Sequence, residues 1–203
     1  MRRLILVLLA CLLAPFAQAQ GSAPLLHQVL DELGQHPAVR ADFIQTRTAP
    51  ALDQPQVSTG HLLFVLGRGM LWQTVTPFAQ TLALTGTRTA RVDADGRLHA
   101  MHGDRGVSQV SQMLQGMLGG KVDAALRQFD VVASGTSADW VLRFTPKQAR
   151  VARVLTSITL IGDRYLQGIT IDMQDGTRTQ IRFASTRAAG ALSTLESGAL
   201  SAP

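Results

Sequence analysis

The stretch GHLLFVLGRGMLWQTVTPFAQTLALTG, residues 60–86, decides the fold. Its first half, Leu62-Leu63-Phe64-Val65-Leu66, reads as a β-strand with two apolar faces. A strand alternates its side chains, so a sheet with one solvated face alternates apolar with polar residues. Here Leu62, Phe64 and Leu66 share one face, and Leu63 and Val65 the other. Each face therefore needs a cover. One can be the protein's own core; the other is a second layer, a partner or a ligand.

Working outward, residues 1–20 (MRRLILVLLACLLAPFAQAQ) read as an address rather than a fold element. Arg2 and Arg3 form a basic n-region, Leu4 to Leu13 an apolar h-region, and Ala17-Gln18-Ala19 an A-x-A cleavage site. Leu8-Leu9-Ala10-Cys11 loosely resembles a lipobox, but modification at Cys11 leaves a very short h-region, and cleavage after Ala19 is the favoured reading. That cleavage removes the chain's single cysteine, which excludes a disulfide scaffold and a cysteine-ligated metal in the mature chain. No later segment reaches roughly 20 uninterrupted apolar residues. The expected address is the periplasm. The expected layout is a signal peptide at 1–19, one domain at 20–187 and a flexible, Ala/Ser/Gly-rich tail at 188–203.

Of nineteen basic residues, losing Arg2 and Arg3 leaves seventeen against fourteen acidic ones, a mild positive charge. Phe, Tyr and Trp make up only 5% of the chain and the arginines are scattered, which argues against nucleic acid as a partner. A basic periplasmic protein would more plausibly meet anionic lipid or an acidic partner.

Leu25, Leu26, Val29, Leu30 and Leu33 repeat at helical spacing between Ser22 and Gly34 and predict an amphipathic helix. After His36-Pro37 the period shortens. Strands are expected at 40–48, 57–66, 70–76, 80–85, 87–93 and 97–101, with Gly86 and Asp95-Gly96 as hairpin turns. From Val107 to Leu118 an apolar stripe of Val107, Val110, Met113, Leu114, Met117 and Leu118 predicts a short helix, with Gln112 and Gln115 among its opposite residues. Strands resume at 128–133, 141–145, 155–161, 166–173 and 177–184. The expected fold class is mainly β with helices: an open antiparallel sheet of about ten or eleven strands curled around helices.

Residues that carry covalent chemistry are missing from any recognisable pattern. There is no Gly-x-Ser-x-Gly elbow, phosphate-binding glycine loop or His-Glu-x-x-His. Asp93-Ala-Asp95-Gly96 lacks the downstream acidic ligand of a calcium loop and reads as a hairpin turn. His99 and His102 have no evident third ligand and read as surface histidines. No catalytic residue, metal or cofactor is expected. The Met/Leu stripe is by default core, yet methionine also suits surfaces that adapt to varied apolar ligands. Arg68 is by default a turn residue; alternatively it reaches over the sheet to a helical cover.

Phe43-Ile-Gln45-Thr46, Gly60-x-Leu62, Arg68, Leu71-Trp72, Pro77 and Leu82-x-Leu84-Thr85-Gly86 occur in an order that resembles the periplasmic lipoprotein carrier family LolA. Gln128-Phe-Asp and Trp140-Val-Leu-Arg-Phe-Thr-Pro-Lys147 extend the likeness, which covers about residues 22–187. The chain departs from the family pattern at Gly69, where the family has proline, and at Thr74, near the place of a second aromatic. The resemblance implies a curved barrel whose helical lid encloses a cavity for lipoprotein acyl chains, carried from an inner-membrane exporter to an outer-membrane receptor. It implies that Phe43, Leu62, Phe64 and Leu66 line the cavity. Leu71 or Trp72 takes the place of the cavity aromatic, and Leu82 and Leu84 follow. Met113, Leu114, Met117 and Leu118 fall in the lid, and Arg68 at its latch. Which strand face turns inward stays open.

The expected function is a monomeric, non-enzymatic carrier of lipoproteins or related lipids. The alternatives are a carrier of a glycolipid or pigment ester, or a sensor or adaptor of the same fold.

Overall fold

The computed structural model describes residues 22–85, 88–101, 112–113, 115–117 and 122–201. The signal-peptide reading, Gly86, His102, Leu114 and Leu118 lie outside these residues. The chain begins with α1 (Ser22–Gly34), then β1 (Ala38–Thr48), β2 (Gln56–Val65), β3 (Gly69–Thr76), β4 (Gln80–Thr85), β5 (Arg88–Val92) and β6 (Leu98–Met101). Residues 112–113 and 115–117 are helical. There follow α2 (Val122–Gln128), β7 (Phe129–Thr136), β8 (Asp139–Pro146), α3 (Ala149–Ala152), β9 (Leu155–Gly162), β10 (Leu166–Met173), β11 (Arg178–Ala188) and α4 (Thr194–Ala199).

All eleven strands form one antiparallel sheet in the order β6-β5-β4-β3-β2-β1-β11-β10-β9-β8-β7. β6 and β7 are its two edges, so the sheet curls without closing. β1 and β11 join the two meanders, with Phe43 opposite Phe183 on one side and Gly60 on the other.

The curl gives the sheet an inner and an outer face. Leu25, Leu26, Val29, Leu30 and Leu33 of α1 are all buried and share one cluster with the inward residues of the strands. Trp140, Leu142, Phe144 and Leu160 from β8 and β9 are completely buried in it. Met113 and Met117 belong to the same cluster. The N-terminal helix and, of the predicted stripe, Met113 and Met117 therefore share the inner side.

The outer face of the central strands has its own cover. Leu63, Val65, Leu71 and Ala83 pack with Ala189, Ala199 and Leu200 in a second cluster. The expected flexible tail is thus replaced at 194–199 by a helix. Ser193 caps α4 by accepting from the Glu196 amide, and the Glu196 side chain returns the bond to the Ser193 amide. This capping box satisfies two amides that a free helix end leaves open. Arg40 on β1 then grips Glu196 with both Nη atoms, at 2.5 and 2.9 Å, and donates from Nε to the Ala189 carbonyl at 3.0 Å.

Candidate functional site

At the end of the sheet where β1 and β3 begin and β2 and β11 finish, the inner face encloses a cavity of about 70 Å3. β1 to β3 supply Val39, Ala41, Leu62, Phe64, Met70 and Trp72. β10 and β11 supply Ile169, Ile171, Ile181 and Phe183 from the opposite wall. Trp72 is stacked on Phe43, with centroids 3.9 Å apart, and meets Phe183 edge-on at 6.5 Å. Such pairs contribute about 0.5–1.5 kcal/mol beyond their area and give the wall a defined shape. Gly60 makes the stack possible, because a Cβ there would overlap the Gln73 carbonyl and stand 2.9 Å from the Phe43 ring.

The cavity is small. An engineered apolar cavity of about 150 Å3 takes up benzene, and this one is half that size. Met113 and Met117 line a second hollow of about 370 Å3, together with Phe129, Val151 and Ile158.

Two polar groups sit at the cavity end of the sheet. On the β2–β3 turn, the Gly67 amide donates to Gln115 Oε1 at 2.8 Å, and Gln115 Nε2 donates to the Val65 carbonyl at 3.0 Å. On the opposite rim, the His36 and Tyr165 rings lie 4.5 Å apart and both line the cavity. Arg164 lies over the Tyr165 ring at 5.7 Å and donates from Nε to His36 Nε2 at 3.2 Å.

Leu62, Phe64 and Trp72 line the cavity directly. Phe43 backs Trp72, Leu84 is buried in the same core, and Leu66 and Leu82 are half-buried against it. Leu71 points the other way. It pairs with Leu63 in register, as Trp72 does with Leu62, and packs under the α4 segment. The choice between Leu71 and Trp72 as the inward residue thus falls on Trp72.

Arg68 reaches the outer face. Its Nη2 donates to the Ser197 carbonyl at 2.8 Å and to Ser201 Oγ at 3.0 Å, both in the α4 segment on the outer face. Among the described residues it makes no bond to residues 112–113 or 115–117, which are tied to the β2–β3 turn through Gln115 instead. The turn that carries Arg68 is built on glycine. Gly67 and Gly69 on either side of Arg68 have φ of 75° and 140°. The proline that the family carries after the arginine is fixed near −65° and cannot occupy the Gly69 position.

The sequence reading passed over His36, Tyr165, Ile169, Ile171, Ile181 and Phe183. The last four sit at i, i+2 spacing on β10 and β11, a signal that was legible; the first two come together only through the fold. Elsewhere, Asp42 accepts from His61 at 2.8 Å and Asp93 pairs with His99 at 2.9 Å, both near the surface. The His61 hydrogen bond, together with its charge, lowers the Asp42 carboxyl from its ordinary value. Among the described residues no group of three or more metal-ligating side chains occurs.

The sequence matches the family described as outer membrane lipoprotein carrier protein LolA over residues 35–195, well over half the chain. No curated protein matches it. A LolA superfamily protein from Nitrosomonas europaea superposes with a TM-score of 0.50 at 8% identity, covering 88% of this chain and 98% of its own. A putative outer membrane lipoprotein-sorting protein domain from Vibrio parahaemolyticus gives 0.43 at 8% identity, covering 86% and 96%. The MucA/MucB complex of Pseudomonas aeruginosa gives 0.47 at 11% identity, covering 83% and 59%. At 8% identity the Nitrosomonas likeness is one of fold alone, and that fold is the unclosed, curved sheet found here. The chain belongs to the LolA family of outer membrane lipoprotein carrier proteins.

Proposed function

We propose that this protein is a periplasmic carrier that shields the acyl chains of a lipoprotein or related lipid between an inner-membrane exporter and an outer-membrane receptor, without catalysis. The observation that carries this reading is the apolar cavity on the inner face, walled by aromatic and branched side chains from both meanders. Burying each methylene there contributes about 0.8 kcal/mol, so binding needs no covalent or ionic anchor to the chain. The 112–117 segment acts as the lid. Its Met113 and Met117 supply adaptable apolar surface, and Gln115 latches it to the β2–β3 turn. A carrier must load and unload, so this latch has to be weak. Two hydrogen bonds to backbone groups, one of them exposed, meet that requirement.

The small closed volume favours a second reading within the same class, in which the cargo is a lipid of one or few chains rather than a triacylated lipoprotein. Mass spectrometry of organic extracts from protein purified out of the periplasm tests both. Co-purifying acylated species, near one per protein, are expected. Protein that yields no acyl species and takes up none when incubated with membrane extracts contradicts the carrier role.

A further inference from the structure

We infer that Arg164, Tyr165 and His36 form a head-group site at the cavity rim, and that it takes a lipid with an anionic head, a carboxylate or a phosphate. The inference rests on the carrier reading above and names the part of the cargo that reading leaves open. An amphiphile with its chain in the cavity must place its head where the lining turns polar. Apart from Thr186, that place is His36 and Tyr165.

The rim is pre-shaped. The β9–β10 turn is pinned from below by Trp140 Nε1, which donates to the Asp163 carbonyl at 2.5 Å. The Asp163 carboxylate is occupied within the turn, accepting from the Tyr165 amide at 2.9 Å and from Gln167 Nε2 at 2.7 Å. Arg164 is held by its stacking on Tyr165 and by the single Nε bond to His36. Among the described residues its two Nη groups have no hydrogen-bond partner, and neither has the Tyr165 hydroxyl. Two parallel Nη donors in a fixed plane match the oxygens of a carboxylate or phosphate, and the tyrosine hydroxyl can add a third donor.

Glu32 is the resident competitor. Its Oε1 stands 4.0 Å from Arg164 Nε, at the outer limit of an ion pair, and 3.8 Å from His36 Nε2, with the Arg164 side chain 68% exposed. A pair that loose and solvated contributes little, so a ligand head displaces it readily.

The test compares hexadecanoate, hexadecyl phosphate, methyl hexadecanoate and hexadecanol by equilibrium binding to wild type, Arg164→Gln and Glu32→Gln. The charged ligands are expected to bind about tenfold more tightly than their neutral counterparts of equal chain length, which is about 1.4 kcal/mol. Arg164→Gln should bring that ratio to within about twofold, and Glu32→Gln should widen it. A stronger preference for hexadecyl phosphate assigns a phospholipid-type head; one for hexadecanoate assigns a fatty acid. Equal affinity for charged and neutral ligands in wild type, or an unchanged ratio in Arg164→Gln, overturns the head-group site while leaving the carrier role intact. Failure of all four ligands to bind tells against the carrier role itself, and the head-group site falls with it.

Discussion

The Gly67 amide and the Gln115 side chain meet at 2.8 Å across the cavity end of the sheet, and the same carboxamide returns a bond to the Val65 carbonyl at 3.0 Å. These bonds tie a helical segment bearing two buried methionines to one tight turn. Each contributes about 0.5–1.5 kcal/mol net. Gln115→Ala should therefore raise opening of residues 112–117 by about tenfold, read as faster amide hydrogen exchange there, with little change in the global unfolding midpoint. Unaltered exchange in that segment would show that the bonds do not restrain it.

Arg68 belongs to the outer face. Because its partners are Ser197 and Ser201, Arg68→Leu should speed exchange across 194–201 and leave 112–117 as in wild type. The family resemblance suggests the reverse, a loosened lid with an undisturbed C-terminal helix. Measuring both segments in one exchange experiment decides between them.

The Arg40–Glu196 pair makes this cover sensitive to acid. The Arg40 hydrogen bonds, with help from Ser193, lower the Glu196 carboxyl from 4.5 to about 2. A carboxyl that titrates lower when folded than when unfolded stabilises the fold fully above pH 4.5, and that contribution is lost as pH falls towards 2. With the Glu196 side chain 23% exposed, its size is on the order of 2 kcal/mol. The urea midpoint should fall between pH 5 and 2.5 by more in wild type than in Glu196→Gln. Parallel pH profiles would mean that the pair contributes nothing.

Gly60 should be intolerant of any side chain. An added Cβ meets the Gln73 backbone on β3 and the Phe43 ring together, and overpacking of this kind costs about 1–3 kcal/mol. Gly60→Ala is expected to lower the melting temperature and disturb the near-ultraviolet signal of the Phe43–Trp72 stack. A variant with wild-type melting would show that the strands separate freely at this point.

Much of this architecture was legible in the sequence. Strand alternation and the 3.6-residue stripe of α1 locate that helix and the strands, because burial on one face imposes those periods directly; the short helices α2, α3 and α4 carry no such stripe and were not expected. Ambiguity arose where both faces are buried. Leu62-Leu63-Phe64-Val65 carries no alternation from which to choose an inward face, so Leu71 and Trp72 were equivalent until the register placed Trp72 over Phe43. The outer cover was concealed by composition. Ala, Ser and Gly dominate residues 188–203, yet Ser193-x-x-Glu196 is a capping-box pattern and was readable as such. Arg68 was legible as a residue that leaves the strand, but its direction depends on the backbone of Gly67 and Gly69. The rim is different in kind. His36 and Tyr165 are far apart in the chain and meet only because the end of α1 and the β9–β10 turn border the same cavity.

Trp72 offers the most direct test of the central claim, since it lines the cavity while Trp140 is completely buried outside its lining. Bromine quenches indole fluorescence at short range, so a fatty acid brominated along its chain reports on whichever tryptophan it reaches. Titration of the brominated acid should quench the wild-type signal saturably, and Trp72→Phe should abolish most of that quenching while the Trp140 emission persists. Quenching that is absent, or that survives unchanged in Trp72→Phe, would contradict the placement of an acyl chain in this cavity.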